Sequence, residues 1–281
     1  MANGKIRVGN TEVLICSDGI LEPTLEVHFP SVSAEEMAPF FERYPETRTA
    51  QGNLVDPMGF FILRSAGKTI LVDTGVGPGP VEAFGGVKGC LPDELKQHGI
   101  RPDEIDTVVL THLHPDHVGW NLAADGKPFF PKARYVASEE DWDFFSNPAT
   151  WELFPFPYLE TSVMPLQDLG VLDLVKGEHS ITSELTTIDT PGHTPGHISL
   201  LIVSAGERGI VLGDVSGHPA QVTEPDWASG FDTDPDLAKE TRKRIHDRIE
   251  AEGMTVMAGH FPTRGVGKFV RLEGRRYWQA L

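Results

Sequence analysis

Four short apolar runs in this chain end directly in residues that can bind metal, and this constrains the fold more than any other feature. Val108-Val109-Leu110 passes into Thr-His-Leu-His-Pro-Asp-His, Thr187-Ile188 into Asp-Thr-Pro-Gly-His, Val211-Leu212 into Gly-Asp, and Val256-Met257 into Ala-Gly-His. Runs of this length, rich in β-branched residues, read as strands. Polar residues just past strand ends lie where α/β sheets place ligand sites, because the loops converge there. Four separate strands therefore point at one spot.

The rest of the chain fits that frame. Further apolar runs at 12–16, 59–63, 69–72, 134–137 and 198–203 read as strands, and the four site runs extend over 107–110, 185–188, 210–212 and 255–257. Helices interleave with them. Ser33 and Glu36 have capping-box spacing, Ser138 opens Ser-Glu-Glu-Asp-Trp-Asp-Phe-Phe, and Asp234-Pro235 starts a helix with Leu237, Thr241, Ile245 and Ile249 on one stripe. A length of 281 residues with 40% apolar content suits a single loop-rich α/β domain over 1–281. Two segments fit the sheet pattern less well, 21–52 and 143–169, and both are expected to shape the pocket or cover it as lids. In the second, Trp151, Phe154, Phe156 and Tyr158 alternate with Pro155 and Pro157, which excludes a regular helix or a central strand.

Charge and cysteine usage narrow the function classes. A formal net charge of -17 repels phosphate backbones and anionic lipid, so neither a nucleic-acid nor a membrane partner is expected. The N-terminus has no apolar leader-like stretch, and no run approaches the ~18 apolar residues of a membrane helix, so a cytoplasmic enzyme is expected. Cys16 and Cys90 are far apart and outside any Cys-x-x-Cys pattern, and they read as buried thiols. No Gly-x-Ser-x-Gly elbow occurs, and Gly-Val-Gly-Pro-Gly-Pro after Thr74 lacks the Lys-Ser/Thr of a phosphate-binding loop. The nucleophile must come from water.

His112, His114, Asp116 and His117 place three imidazoles and a carboxylate within six residues, a donor set suited to Zn, Fe, Mn, Co or Ni. With Val-Asp-Thr-Gly at 72–75, Thr-Pro-Gly-His-Thr-Pro-Gly-His at 190–197, Gly213-Asp214 and Gly259-His260, the motif set resembles the metallo-β-lactamase superfamily over 59–262. The resemblance implies an αββα four-layer sandwich, with two mixed sheets face to face and helices outside. It also implies that His112, His114 and His193 bind one divalent ion, that Asp116, His117 and His260 bind a second, and that Asp214 bridges them, Zn being the expected metal. Asp73 reads as a group that orients a ligand histidine, and His197 as a buried, hydrogen-bonded structural residue. His28, His98, His179 and His246 have no ligand spacing and default to surface or core roles.

Two cations sharing a water lower its pKa to about 7, so a bridging hydroxide would attack a carboxylic ester, most plausibly a lactone. Asp116 or Asp214 would shuttle the proton. Homoserine-lactone hydrolases of the superfamily carry a tyrosine three residues after the bridging aspartate, whereas Gly217 stands there in this chain. His218, one residue on, is the expected donor to the developing oxyanion. Gly-Asp-Val-Ser-Gly-His-Pro-Ala-Gln-Val and the helix after Asp234 resemble the lactonase and methyl-parathion-hydrolase branch. Phosphotriester hydrolysis is the alternative, since the same pair of ions suits attack at phosphorus. A glyoxalase-type thioesterase would need more chain than the 21 residues after His260, and a mononuclear iron sulfur dioxygenase needs only a reduced ligand set. The expected partner is a small-molecule substrate, and a homodimer remains open.

Overall fold

The structure, a computed structural model, describes residues 4–82, 85–153 and 155–281. The first seven-stranded sheet runs in chain order: β1 (Gly4–Val8), β2 (Thr11–Leu21), β3 (Asp56–Ser65), β4 (Lys68–Val72), β5 (Thr107–Val109), β6 (Arg134–Ser138) and β7 (Leu172–Val175). Pairing is antiparallel from β1 to β4 and parallel from β4 to β7. The second sheet holds β8 (His179–Ser180), β9 (Leu185–Asp189), β10 (Ile198–Ser204), β11 (Glu207–Val211), β12 (Thr255–Met257), β13 (Val266–Leu272) and β14 (Arg275–Ala280). It is antiparallel except for the β11–β12 pair.

Strand periodicity explains the layering. Successive side chains on a strand point to opposite faces, so a strand buried on both sides feeds two cores. On β4, Ile70 and Val72 join a central core shared with the other sheet, while Leu71 faces outward to helices. On β3, Phe61 and Leu63 face the centre and Phe60 and Ile62 face the helices. The second sheet mirrors this: Leu200, Val211 and Met257 meet the central core, while Leu201, Ile210 and Val256 meet an outer one. Three apolar layers between four structural layers make the αββα sandwich. Each wholly buried Leu or Ile contributes roughly 1.5–3 kcal/mol relative to exposure, so the sequence period itself selects this architecture.

The helices cover the two outer faces. Alongside α1 (Leu25–His28), α2 (Ala34–Arg43) packs Met37 and Phe40 onto the second sheet, its start held by Ser33 Oγ accepting the Glu36 amide. On the first sheet lie α3 (Leu91–Gln97), the one-turn α4 (Pro115–Val118), α5 (Glu139–Ser146), α6 (Pro148–Leu153), α7 (Tyr158–Ser162) and α8 (Met164–Asp168). After α9 (Ala220–Thr223), α10 (Pro235–Glu252) buries Thr241, Ile245 and Ile249 against the second sheet, and Asp234 caps it through the Leu237 amide.

Several local features differ from the sequence reading. β1, β7, β8, β13 and β14 are additional strands; β13 and β14 form an edge hairpin whose Lys268, Arg271 and Arg275 blur the apolar alternation. The segment 143–169, read as irregular, consists of short helices broken around Pro155 and Pro157. Its Trp151, Phe156 and Tyr158 pack on the outer core of the first sheet, and Phe154 lies outside the described residues. Cys16 is buried, but Cys90 is partly exposed, its thiol donating to the Ser17 carbonyl. Among the described residues, no helix is long and apolar enough to cross a membrane.

Candidate metal centre

The site is built where β5 stops. The Asp73 carboxylate, just past β4, takes the Thr111 amide at 2.7 Å and the Thr111 hydroxyl at 2.8 Å, which fixes the turn leaving β5. Its φ of 63° lies in the left-handed region that Asp tolerates better than most residues. Pro115 then starts α4 without wasting an amide donor, and this single turn brings Asp116 and His117 beside His112 and His114. The other ligand-type residues follow β9 (His193), β11 (Asp214) and β12 (His260).

Seven side chains converge. Metal-competent atoms of His112, His114 and His193 lie within 4.8 Å of one another, as do those of Asp116, His117 and His260 and those of His112, His117 and Asp214. Asp214 reaches both triads, with Oδ2 at 3.3 Å from His193 Nε2 and 3.2 Å from His260 Nε2, and Oδ1 at 3.5 Å from His117 Nε2. Bonds of ~2.0–2.2 Å around a tetrahedral ion place neighbouring donors about 3.3 Å apart, so these separations fit. The nitrogens His114 Nδ1 and His193 Nε2 face each other at 3.0 Å. His112 Nε2, His117 Nε2 and Asp214 Oδ1 are buried without hydrogen-bond partners. Buried donors and acceptors are rarely left so, and a cation satisfies all of them together.

Buried carboxylates hold the far sides of three of these histidines. Asp73 Oδ2 is 2.9 Å from His117 Nδ1. Asp232 Oδ1 is 3.0 Å from His193 Nδ1 and is itself paired with Arg242 of α10. Asp56 Oδ1 lies 2.7 Å from His260 Nδ1. Such partners fix ring orientation and raise ligand basicity. Asp141 of α5 ties the His193 loop, taking the Thr194 hydroxyl at 2.9 Å and the Gly196 amide at 2.6 Å.

His197 acts behind the site. It is wholly buried, its Nδ1 meets Thr190 Oγ1 at 2.7 Å, and its Nε2 accepts the Asp214 amide at 2.8 Å. Burial pushes it down to about 3, which keeps that nitrogen free to accept. Gly213 makes this approach feasible: its φ is +59°, and a Cβ there would sit 2.5 Å from His197 Nε2.

The electrostatics favour added positive charge. Burial raises Asp214, but His260, His117, His112 and His193 outweigh it and hold the carboxyl well below its ordinary value. Burial likewise lowers His117, yet Asp116, Asp214 and Asp73 bring it up to about 9. His112 and His114 are pushed well below their usual value by burial and by neighbouring histidines. The acidic groups thus favour a cation here, while His112 and His114 are biased to the neutral form, the form that ligates metal.

A cavity of about 210 Å³ opens onto this cluster. His114, Asp116, His193, Asp214 and His260 form one side; Leu21, His28, Gly217 and Phe231 form much of the other. His218 is not among the lining residues: its ring packs against Phe29 and edge-on to His28, and its Nδ1 accepts the Ala220 amide. None of the described residues of 143–169 lines the cavity either; Phe145 backs His114, and Tyr158 donates to the Leu113 carbonyl. From 21–52, Leu21 and His28 reach it. Sequence alone left His28 to a surface or core role, and it is buried but lines the cavity; it did not single out Asp56, Asp141 or Asp232, which lie outside the motifs and acquire partners only through the fold.

Comparisons with known proteins agree with this geometry. The family model described as Metallo-beta-lactamase superfamily matches residues 60–260. An N-acyl homoserine lactonase of Bacillus cereus is 26% identical, covering 74% of this chain and 83% of its own length. The N-acyl homoserine lactonase AttM of Rhizobium radiobacter is 27% identical, with 75% and 86% covered. Among solved structures, the hydrolase AbOPH superposes with a TM-score of 0.87 at 26% identity, covering 99% of this chain and 97% of that one. AidC, a dizinc quorum-quenching lactonase in complex with a product, shares the fold at a TM-score of 0.84 and 24% identity, with 99% and 97% covered. The chain belongs to the Metallo-beta-lactamase superfamily.

Proposed function

We propose that this chain is a metal-dependent hydrolase that opens the ester bond of a lactone at a centre of two divalent ions. The observation that carries the reading is Asp214, one largely buried carboxylate within 3.3 Å of a histidine from each triad. In this reading His112, His114 and His193 hold one ion, Asp116, His117 and His260 the other, and Asp214 both. Zinc suits the donor set best, and Fe, Mn, Co or Ni are accepted by the same atoms. When bound, such a pair supplies Lewis acidity and brings a water's pKa to about 7. Seven ligands for two ions leave coordination positions open, as catalytic rather than structural sites do.

The chain's own residues do the remainder. Asp116 and Asp214 face the cavity, where either accepts the proton released from water. Leu21 and Phe231 offer an apolar wall to an acyl group, and the ~210 Å³ volume admits a small molecule. The relatives named lactonases support a cyclic ester as substrate. Turnover of a panel of lactones, linear esters and phosphotriesters by zinc-loaded protein tests the reading, together with metal content. Lactone hydrolysis with near two ions per chain is expected. Triester turnover without lactone turnover, or a single iron with oxygen uptake on a persulfide, overturns it.

A further inference from the structure

Helix α3 packs on β2, and their contact gathers three side chains that the seven-residue centre does not use. Cys16 of β2, Glu94 of α3 and His98 at the end of that helix each offer a ligand atom, and the three atoms lie within 4.8 Å of one another. Glu94 and His98 are four residues apart, so one helix face carries both. Cys16 sits on the strand face turned to that helix, in the core with Leu91 and Leu95. Linear spacing hides the group, because only the packing of α3 on β2 brings the cysteine to the helix pair.

The cluster has the character of a cation site. His98 Nε2 is buried without a hydrogen-bond partner. Such a nitrogen is costly to leave unpaired, and a cation is a partner that imidazole, thiolate and carboxylate can share. Burial raises the Cys16 thiol far above its ordinary value, and Glu94 and Cys90 raise it further. These groups disfavour one another's negative charge; a dication among them reverses that sign and takes the thiol as thiolate. Bonds of ~2.3 Å to sulfur and ~2.0–2.2 Å to nitrogen and oxygen put tetrahedral donors about 3.3–3.6 Å apart, so closure asks for at most ~1.5 Å of movement. An ion can reach the group from outside, since Glu94 and His98 are only half-buried, and Cys16, Cys90 and Glu94 line a cavity of about 410 Å³. The Cys90 thiol itself donates to the Ser17 carbonyl at 3.1 Å and stands apart from the set.

We propose that Cys16, Glu94 and His98 form a further cation site, separate from the centre around Asp214, that takes a thiophilic divalent ion such as zinc, cobalt or cadmium. The sulfur selects against magnesium and calcium. On binding, the S–H bond breaks, its proton passes to solvent and the sulfur bonds the ion, with no change of oxidation state. Three protein donors leave one coordination position for water, and the ion fastens α3 to β2. The site stands whether or not the chain is a hydrolase.

Cys16 and Cys90 are the two cysteines of the chain and neither belongs to the centre around Asp214, so a thiolate–metal signal reports the new site alone. Zinc-loaded protein is titrated with Cd(II), followed by the ultraviolet thiolate-to-cadmium charge-transfer band and by ¹¹³Cd NMR, which separates sulfur-bound cadmium from cadmium on nitrogen and oxygen. One sulfur-bound cadmium per chain is expected in wild type and in Cys90→Ala, and none in Cys16→Ala. Glu94→Gln and His98→Gln alter a half-exposed helix face and keep the test open if Cys16→Ala fails to fold. Each should weaken the sulfur-bound cadmium by at least about 10-fold, a loss caused even by groups that stand behind a metal ligand, with the circular dichroism of wild type retained. Absence of a thiolate band at saturating cadmium overturns the proposal. So does a band that persists in Cys16→Ala and vanishes in Cys90→Ala, or an unchanged affinity in either helix variant.

Discussion

Asp73 and His117, 44 positions apart in the chain, meet at 2.9 Å between Oδ2 and Nδ1, and the same carboxylate fastens the turn at Thr111. One side chain therefore sets both the loop and the ring. In Asp73→Asn, His117 loses its anionic partner and the Thr111 hydroxyl loses a charged acceptor. Metal affinity should fall by about 10–100-fold, read by competition with a chelating dye. Unchanged affinity would show that His117 is oriented by α4 alone.

Asp214→Ala removes the carboxylate that reaches both triads. Metal content should drop from near two ions per chain toward one or none, and turnover should disappear while the circular dichroism of the sandwich persists. Two retained ions with wild-type turnover would refute the bridging role.

Gly213→Ala tests the packing behind Asp214. The new Cβ would lie 2.5 Å from His197 Nε2 on a residue with φ of +59°. Strain of this type costs roughly 1–3 kcal/mol, so the melting temperature should drop by several degrees and the Asp214 amide should lose its acceptor. An unchanged melting temperature in calorimetry would contradict the close approach.

If the proposed ligands hold metal, its removal should destabilise the whole fold, because these residues tie loops following β5, β9, β11 and β12. A site filled at a thousand times its Kd contributes about 4 kcal/mol. Dialysis against a chelator should lower the thermal midpoint, and zinc should restore it. A midpoint indifferent to metal would mean that the loops are held without it.

Glu250 of α10 links to the edge hairpin through Arg271 and Arg276, whose hydrogen bonds hold its carboxyl at about 2, below the ordinary 4.5. A depressed carboxylate pKa contributes stability that is fully present above 4.5 and disappears as pH falls toward 2. The full shift would imply a ceiling of about 3 kcal/mol. Arg271 is 57% exposed, so solvent screening reduces this to on the order of 1 kcal/mol. Glu250→Gln should lose that increment at pH 7 and flatten the acid limb between pH 4.5 and 2 in urea denaturation; identical pH profiles would remove the pairing as a cause.

Much of the candidate site was legible because its metal-competent residues cluster at strand ends. His112, His114, Asp116 and His117 lie in one heptapeptide, and each remaining ligand follows an apolar run that proves to be a strand. The interior strands were legible for a related reason: burial on both faces demands continuous Val, Ile and Leu, as in β4 and β10. The β13–β14 hairpin was not, because at a sheet edge its arginines need only reach solvent or Glu250. Nor were the helices of 143–169, where Pro155 and Pro157 mark breaks without saying what lies between them.

Sequence by itself determined which metal-competent residues follow four strands, and the two-faced apolar strands that require a layered sandwich, since these depend on local period and residue chemistry. Only the tertiary structure decided which carboxylate stands behind which histidine, and that His28 rather than His218 edges the cavity. Those relationships join Asp56 to His260 and His28 to Gly217 across about two hundred residues. Their geometry is set by how two sheets pack, and a linear spacing does not encode it.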